Sequence, residues 1–405
     1  MAVTFARGFR AGTAACGIKA FTAGASAIPR DQRDDLCVIH SAYPCDTGGV
    51  FTTNKVKAAS VVIDQLHLAR NRVQALTINS GNANACTGAQ GFKDALLMAK
   101  LSADRLDLDP DQVLVSSTGV IGRYLPMDAI KSGIGEACGK LSPEAGEAAA
   151  RAIMTTDTVP KTARTELTIG GQTVRVGGMC KGSGMIHPNM ATMLAYVTTD
   201  AAVEPGLIGR IVRSIADRSF NQLTVDGDSS TNDSFLILAN GAAGNDPIRA
   251  DSAEEEALRA AIEHVARELA RSIARDGEGA TKLITVRVLD AASDADARTA
   301  ARTVASSSLV KTAVHGGDPN WGRIVCALGY SGAELALDRL HLSIGGLVVF
   351  ERGAGVEVDL GAVRRAFEQS EIEIVATLGL GDGSAEAWGC DLSEDYVRIN
   401  ADYTT

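Results

Sequence analysis

The sequence predicts an α+β fold built from stacked layers, and three observations carry that reading. Strand-like and helix-like segments mix without the strict βαβ alternation of a doubly wound parallel sheet. Some strands, such as Val113-Leu114-Val115, are unbroken apolar runs of the kind that buried strands need. Thr165 to Val176 alternates around Gly170-Gly171-Gln172 and reads as an antiparallel hairpin.

Composition narrows the class. A chain of 405 residues, 45% hydrophobic and 22% charged, has the balance of an ordinary globular protein of two or three domains. Aromatics make up only 4%, so aliphatic side chains and alanine must fill the core. A formal net charge of -10, with no basic stripe, argues against a nucleic-acid partner. No apolar run approaches the roughly 20 residues needed to cross a bilayer, so no membrane partner is expected. The start carries Arg7 and Arg10 but no continuous apolar region after them, and does not read as a signal peptide. Eight cysteines without a Cys-x-x-Cys pair predict reduced, mostly buried thiols in a reducing compartment. The six histidines are dispersed, so no zinc-type cluster is predicted.

Taken in order, Leu36-Cys37-Val38-Ile39 follows a polar break and reads as a strand. Leu76-Thr77-Ile78 is a short strand that opens into an Asn/Gly loop, Asn79 to Gly88. Such a loop either offers amides to a polar ligand or is a tight structural turn, and the residues alone leave both readings open. A helix is predicted from about Gly91 to Leu106, with Ala95, Met98, Ala99 and Leu106 on one side. Val113 to Ser117 is a buried strand that breaks at Thr118-Gly119, where a backbone N–H could be aimed at a ligand oxygen. A helical segment from about Pro143 to Met154 ends in the loop Thr155 to Lys161, marked by Pro160 and clustered hydroxyls. Pro205 to Phe220 and Ser252 to Ile273 read as amphipathic helices, the second with an acidic start suited to the helix dipole. Asp226 to Ile237 resembles a calcium loop in its acidic spacing, but Thr231 and Ile237 stand where that loop needs Gly and a bidentate Glu. Lys282 to Leu289 alternates as a strand, and His315 to Ile324 is a turn carrying Trp321, best read as scaffold.

The most informative stretch is Cys180 to Asp200. Lys181-Gly182-Ser183-Gly184 is a glycine-rich loop, His187-Pro188-Asn189 a turn, and Met193 to Val197 a buried strand. Thr192, preceded by the small Ala191, puts a hydroxyl at the mouth of that strand. One reading is an ordinary β-forming residue. The other is a nucleophile that becomes a new N-terminus and uses its own α-amine as base.

Lys181 to Leu194 resembles the processing site of the ornithine acetyltransferases, the glutamate N-acetyltransferases of arginine biosynthesis, and at least six segments between Gly8 and Thr405 share the likeness. The resemblance implies self-cleavage between Ala191 and Thr192, giving an α chain of residues 1–191 and a β chain of 192–405. It implies layered αββα-like sandwich domains of an N-terminal-nucleophile-type acetyltransferase, with the site between two of them. It assigns the nucleophile to Thr192 and the oxyanion hole to Thr118 and Gly119. Substrate contacts go to Thr155, Lys181, Glu278, Asn400 and Thr405. It further implies acetyl transfer from N2-acetylornithine to glutamate through an acetyl-threonine, in ping-pong order, by a cytoplasmic heterotetramer of associated α and β chains. No metal or organic cofactor is implied, and acetyl-CoA stands as a second donor. The rival readings are an N-terminal-threonine amidohydrolase or aminopeptidase, with water as acceptor, and a binding protein whose Thr192 is only a strand residue.

Overall fold

The structure is a computed structural model that describes residues 2–21, 33–70, 72–187 and 193–402. Five strands come from the first third: β1 (Phe9–Ala14), β2 (Leu36–Ser41), β3 (Asp46–Phe51), β4 (Ala75–Asn82) and β5 (Val113–Val120). Four more follow as β6 (Lys161–Ile169), β7 (Gln172–Lys181), β8 (Leu194–Thr199) and β9 (Ser234–Ala239). The last third adds β10 (Leu283–Ala291), β11 (His341–Ile344), β12 (Leu347–Glu351), β13 (Ala354–Gly355), β14 (Glu371–Thr377) and β15 (Gly383–Cys390).

These strands form three sheets, with orders β1-β2-β4-β5, β3-β9-β8-β7-β6 and β13-β12-β11-β14-β10-β15. The first two pack face to face. Along β8, Leu194 and Tyr196 point into the layer between the sheets, while Ala195 and Val197 point to the opposite face. β9 divides its side chains in the same way, Leu236 and Leu238 against Phe235 and Ile237. The period of two in a strand, with both faces covered, is why these runs are apolar throughout.

Helices close the sandwich. On the outside of the first sheet lie α1 (Ala59–Leu68), α2 (Gly88–Leu106) and α3 (Met127–Gly139), which share a core with Leu36, Val38, Val113 and Val115. The short α4 (Gly146–Ala152) contributes Ala149 and Ala150 to the layer between the sheets. On the outside of the second sheet lie α5 (Leu207–Asp217) and α6 (Ala253–Arg275). The buried faces of the last two are those that the sequence spacing predicts: Leu207, Ile208, Ile211, Val212 and Ile215 in α5, and Leu258, Ile262, Val265, Leu269 and Ile273 in α6. Ser252 caps α6 by accepting the Glu255 amide at 3.1 Å. The order helix, sheet, sheet, helix is the αββα-like sandwich that the resemblance implies.

The third sheet carries α7 (Asp294–Ser306), α8 (Ser308–Gly316), α9 (Trp321–Tyr330) and α10 (Leu360–Phe367), around a separate aliphatic core. Its edge strand β15 joins the two units, because Trp388 and Cys390 belong to the core beneath α6. The chain ends in α11 (Glu394–Asp402).

Several boundaries differ from the sequence reading. α2 starts at Gly88, not Gly91, and α4 covers only Gly146–Ala152 of the predicted 143–154. β5 does not break at Thr118-Gly119 but runs through to Val120. Gly119 makes this continuation feasible: it sits at φ +130°, and a Cβ there would lie 2.3 Å from the Gly81 carbonyl carbon on β4. Register between β4 and β5 shifts at this point, so the strand turns its backbone without ending. Residues 191 and 192 lie outside the described residues. The strands that flank them, β7 and β8, are antiparallel neighbours in one sheet, with Lys181 opposite Leu194.

Candidate active site

A cavity of about 370 Å³ opens where the sandwich meets the C-terminal helix. Six residues singled out from the sequence line it: Thr118, Gly119, Thr155, Lys181, Glu278 and Asn400. They come from β5, the loop after α4, the end of β7, the loop after α6, and α11. Ala191, Thr192 and Thr405 lie outside the described residues, but Met193, next to Thr192, leads into β8 beside Lys181.

Buried charges fix the floor. Lys161, at the start of β6, places its ammonium against Asp157 at 2.7 Å and against Asp276, and all three side chains are almost fully buried. Asp157 then acts as a hub. Its carboxylate accepts the Thr155 amide at 3.0 Å and the Gly182 amide at 2.7 Å, which ties two cavity segments together. Burial works against its charge, yet the Lys161 and Lys181 ammoniums hold its carboxyl well below the usual range. Lys161 titrates above its ordinary value, because the two carboxylates outweigh its burial. Lys181 is itself buried, and burial lowers its pKa against the pull of Asp157, Glu278 and Asp233.

The opposite wall is braced from the loop after α6. Ser183 Oγ donates to the Asp276 carbonyl at 2.6 Å, and the Glu278 amide donates to the Ser183 carbonyl at 2.9 Å. Glu278 Oε2 accepts from Asn400 Nδ2 at 2.8 Å. Gly184 leaves room for this carboxylate, since a Cβ there would stand 2.2 Å from Glu278 Oε2 and push it aside.

Further residues build the site without having been assigned a role from the sequence. Asp226 accepts the Met185 and Ile186 amides at 2.5 and 2.8 Å, and burial raises its pKa. Asn232 donates to the carbonyls of Ala83 and Ser117 at 2.6 and 2.7 Å, which locks the loop 224–233 to the end of β5. Tyr396 lines the cavity beside Asp226. The signal for these residues was the polar string Asp226 to Asp233, but its hydrogen bonds cross 115 and 149 residues and leave no local pattern. The Asn/Gly segment expected as a loop from Asn79 instead continues β4 to Asn82, and it proves largely structural. Asn79, Asn82 and Asn84 spend their amide donors on the backbone carbonyls of Asn82, Arg123, Tyr124 and Gly91.

Chemically, the cavity offers a strand end with a conformationally unusual glycine, a buried ammonium, and a carboxylate held in place by an amide. Such a set suits a small zwitterionic ligand. Among the described residues no group of His, Cys, Asp and Glu could hold a metal ion, and all eight cysteines are free.

A profile of the ArgJ family matches residues 11–405. The chain belongs to the ArgJ family. The arginine biosynthesis bifunctional protein ArgJ of Symbiobacterium thermophilum is 52% identical over 100% of this chain and 98% of its own length. Its counterpart from Caldanaerobacter subterraneus is 45% identical over 96% and 97%. A crystal structure of ArgJ from Bacillus halodurans superposes with a TM-score of 0.51 at 41% identity, over 52% of this chain and 99% of that one. As an ArgJ protein this chain is an acetyltransferase of arginine biosynthesis, a glutamate N-acetyltransferase, as its resemblance to the ornithine acetyltransferases implies. Among the described residues no helix is long and apolar enough to cross a membrane.

Proposed function

We propose that the chain cleaves itself between Ala191 and Thr192 and then moves acetyl from N2-acetylornithine to glutamate through an acetyl ester on Thr192. The observation that carries this reading is the convergence of Thr118, Gly119, Thr155, Lys181, Glu278 and Asn400 on one cavity beside β8, which Met193 joins to Thr192.

In the precursor, the Thr192 hydroxyl attacks the Ala191 carbonyl, and water then hydrolyses the ester formed by the shift. In the mature enzyme, the freed α-amine takes the hydroxyl proton as the oxygen attacks the acetyl group. Thr118 and Gly119 stabilise the oxyanion, a contribution of about 3–4 kcal/mol for a well-placed donor. Lys181 meets the substrate carboxylate or supports the oxyanion. Glu278, Asn400, Thr155 and the Thr405 terminus hold the rest of the ornithine moiety, its ammonium against Glu278. Ornithine leaves, glutamate takes the acetyl group, and kinetics are ping-pong. No metal or organic cofactor takes part, and acetyl-CoA serves as a second donor to Thr192, in keeping with the bifunctional name of the relatives.

The solved Bacillus halodurans chain, about half as long as this one and matched over 99% of its length, supports a protein that exists as two chains. The pairing of β7 with β8 across the cleavage point supports chains 1–191 and 192–405 that stay associated. Their assembly into a cytoplasmic heterotetramer rests on the resemblance to the family alone.

Product analysis tests the reaction. Purified protein given N2-acetylornithine should make N-acetylglutamate when glutamate is present, and little free acetate when it is absent. Acetate release at the same rate with and without glutamate would make the protein an N-terminal-threonine amidohydrolase instead.

A further inference from the structure

Arg298 and Arg302 stand one turn apart on α7 and line a second cavity, of about 450 Å³. Its other wall is the segment Asp217 to Gln222 that leaves α5, together with His187. Residues four apart share one helix face, where two like charges repel unless something negative lies between them. Arg298 has no ion pair or hydrogen bond among the described residues. The other arginines of the adjoining cavity differ: Arg218 pairs with Asp294 at 3.7 Å, Arg267 with Glu386, and Arg287 with Glu373 at 3.2 Å.

Arg302 is half-buried and lacks a counter-charge. Its Nη2 donates to His187 Nε2 at 3.3 Å, and its Nε is buried without a partner. A guanidinium can only donate, so the imidazole proton lies on Nδ1, which donates to Thr224 Oγ1 at 3.0 Å. Burial and Arg302 lower the His187 pKa, so this partner is neutral. Burial also lowers the Arg302 pKa, and no carboxylate beside it offsets the effect. The carboxylate in the cavity wall, Asp217, accepts from Asn221 Nδ2 at 2.7 Å and pairs with neither arginine. Withdrawing a cation from water without an opposite charge is costly, and a bound anion removes that cost.

We propose that this cavity binds a phosphate group through Arg298 and Arg302. Two guanidiniums on adjacent turns match the charge of a phosphate dianion, and each can meet different oxygens of the tetrahedron through paired N–H groups. A carboxylate brings one charge and one edge, which a single arginine satisfies. The cavity is larger than phosphate itself and falls in the size range of small-molecule sites, so the group that carries the phosphate also fits. It shares a wall with the catalytic cavity. Ser229 lines the catalytic cavity and donates through Oγ to the His187 carbonyl at 3.2 Å, while Thr224 Oγ1 donates to the Ile186 carbonyl at 3.3 Å. The phosphate has two sources: the phosphate end of the acetyl-CoA donor, which rests on the reading of acetyl-CoA as second donor, or free phosphate.

The test is titration calorimetry on the purified enzyme with inorganic phosphate and with coenzyme A, at constant ionic strength so that general screening is fixed. Wild type, Arg298→Gln and Arg302→Gln are compared, since glutamine removes the charge and keeps a donor for His187. Wild type should bind phosphate, and each variant should bind it about tenfold or more weakly, the scale of a lost charged hydrogen bond. Coenzyme A that binds more tightly than phosphate, and weakens likewise in both variants, identifies the donor as the source. Coenzyme A binding that is absent or unchanged in the variants, beside weakened phosphate binding, identifies free phosphate. No binding of either ligand to wild type, or affinities for both that are unchanged in either variant, overturns the proposal. If Arg302→Gln does not fold, Arg298→Gln decides alone, because it removes no bond of the fold. Acetyl transfer from N2-acetylornithine should stay near wild type in both variants. Wild type without that transfer would remove the reading of the reaction and leave the phosphate result standing.

Discussion

Asn400 Nδ2 donates to Glu278 Oε2 at 2.8 Å, a hydrogen bond between residues 122 apart in sequence. It fastens the C-terminal helix to the loop after α6 and leaves the second Glu278 oxygen for a ligand. Glu278→Gln should raise KM for acetylornithine about 10- to 100-fold with a smaller loss in kcat, the scale of a lost charged hydrogen bond. Asn400→Ala should raise it less, because the carboxylate remains. Steady-state kinetics with acetylornithine varied check both.

Gly184→Ala tests the same carboxylate from the other side. A Cβ placed 2.2 Å from Glu278 Oε2 must displace the end of a flexible side chain, which costs little stability but moves the charge. KM for acetylornithine should rise about tenfold while the unfolding midpoint stays near wild type. A normal KM would show that Glu278 does not meet the substrate.

The two halves of the Thr118-Gly119 pair should separate in mutagenesis. Thr118→Ala should lower kcat about 10²- to 10³-fold with stability retained, as for loss of one oxyanion donor. Gly119→Ala should also destabilise the fold, since a Cβ at φ +130° meets the Gly81 backbone across the β4–β5 pair. Thermal unfolding beside acetyl-transfer rates distinguishes the two effects.

Much of the layered fold was legible in local patterns. The hairpin at Gly170-Gly171, the apolar runs of β5 and β8, and the faces of α5 and α6 follow from spacing alone. The site was legible through its resemblance to a family, because Thr118, Lys181 and Glu278 look unremarkable where they stand in the chain. What stayed hidden depends on long-range pairing. Asp157 becomes a hub only because Lys161 and Gly182 fold onto it, and Asp226 is a clamp only because Met185 and Ile186 arrive beside it. The break expected in β5 at Gly119 was absent because a glycine facing Gly81 can turn the backbone without ending the strand.

The buried triad of Asp157, Lys161 and Asp276 gives a stability prediction with a definite pH dependence. Lys161→Met leaves the buried Asp276 without its ammonium and Asp157 with Lys181 alone, and should cost about 3–5 kcal/mol near neutral pH. In the wild type, the depressed Asp157 pKa contributes stability that is complete above its ordinary 3.8 and is lost as pH falls through the folded-state value. The raised Lys161 pKa contributes stability present below its ordinary 10.5 and lost as pH rises through its folded-state value. In the variant, the uncompensated carboxylates take up protons on folding, so its deficit should shrink as pH falls from about 6 to 4. Denaturant unfolding at several pH values reads this directly, and a deficit independent of pH would contradict it.

The acetyl-threonine is tested most directly by the denaturing mass of the purified protein, with and without N2-acetylornithine and in the absence of glutamate. Self-processing predicts two fragments that meet at Ala191/Thr192, and one acetyl group on the fragment that begins with Thr192. Adding glutamate should remove that acetyl group, and Thr192→Ala should give one intact, unmodified chain. An uncut wild-type chain, or fragments that never carry acetyl, would contradict the mechanism.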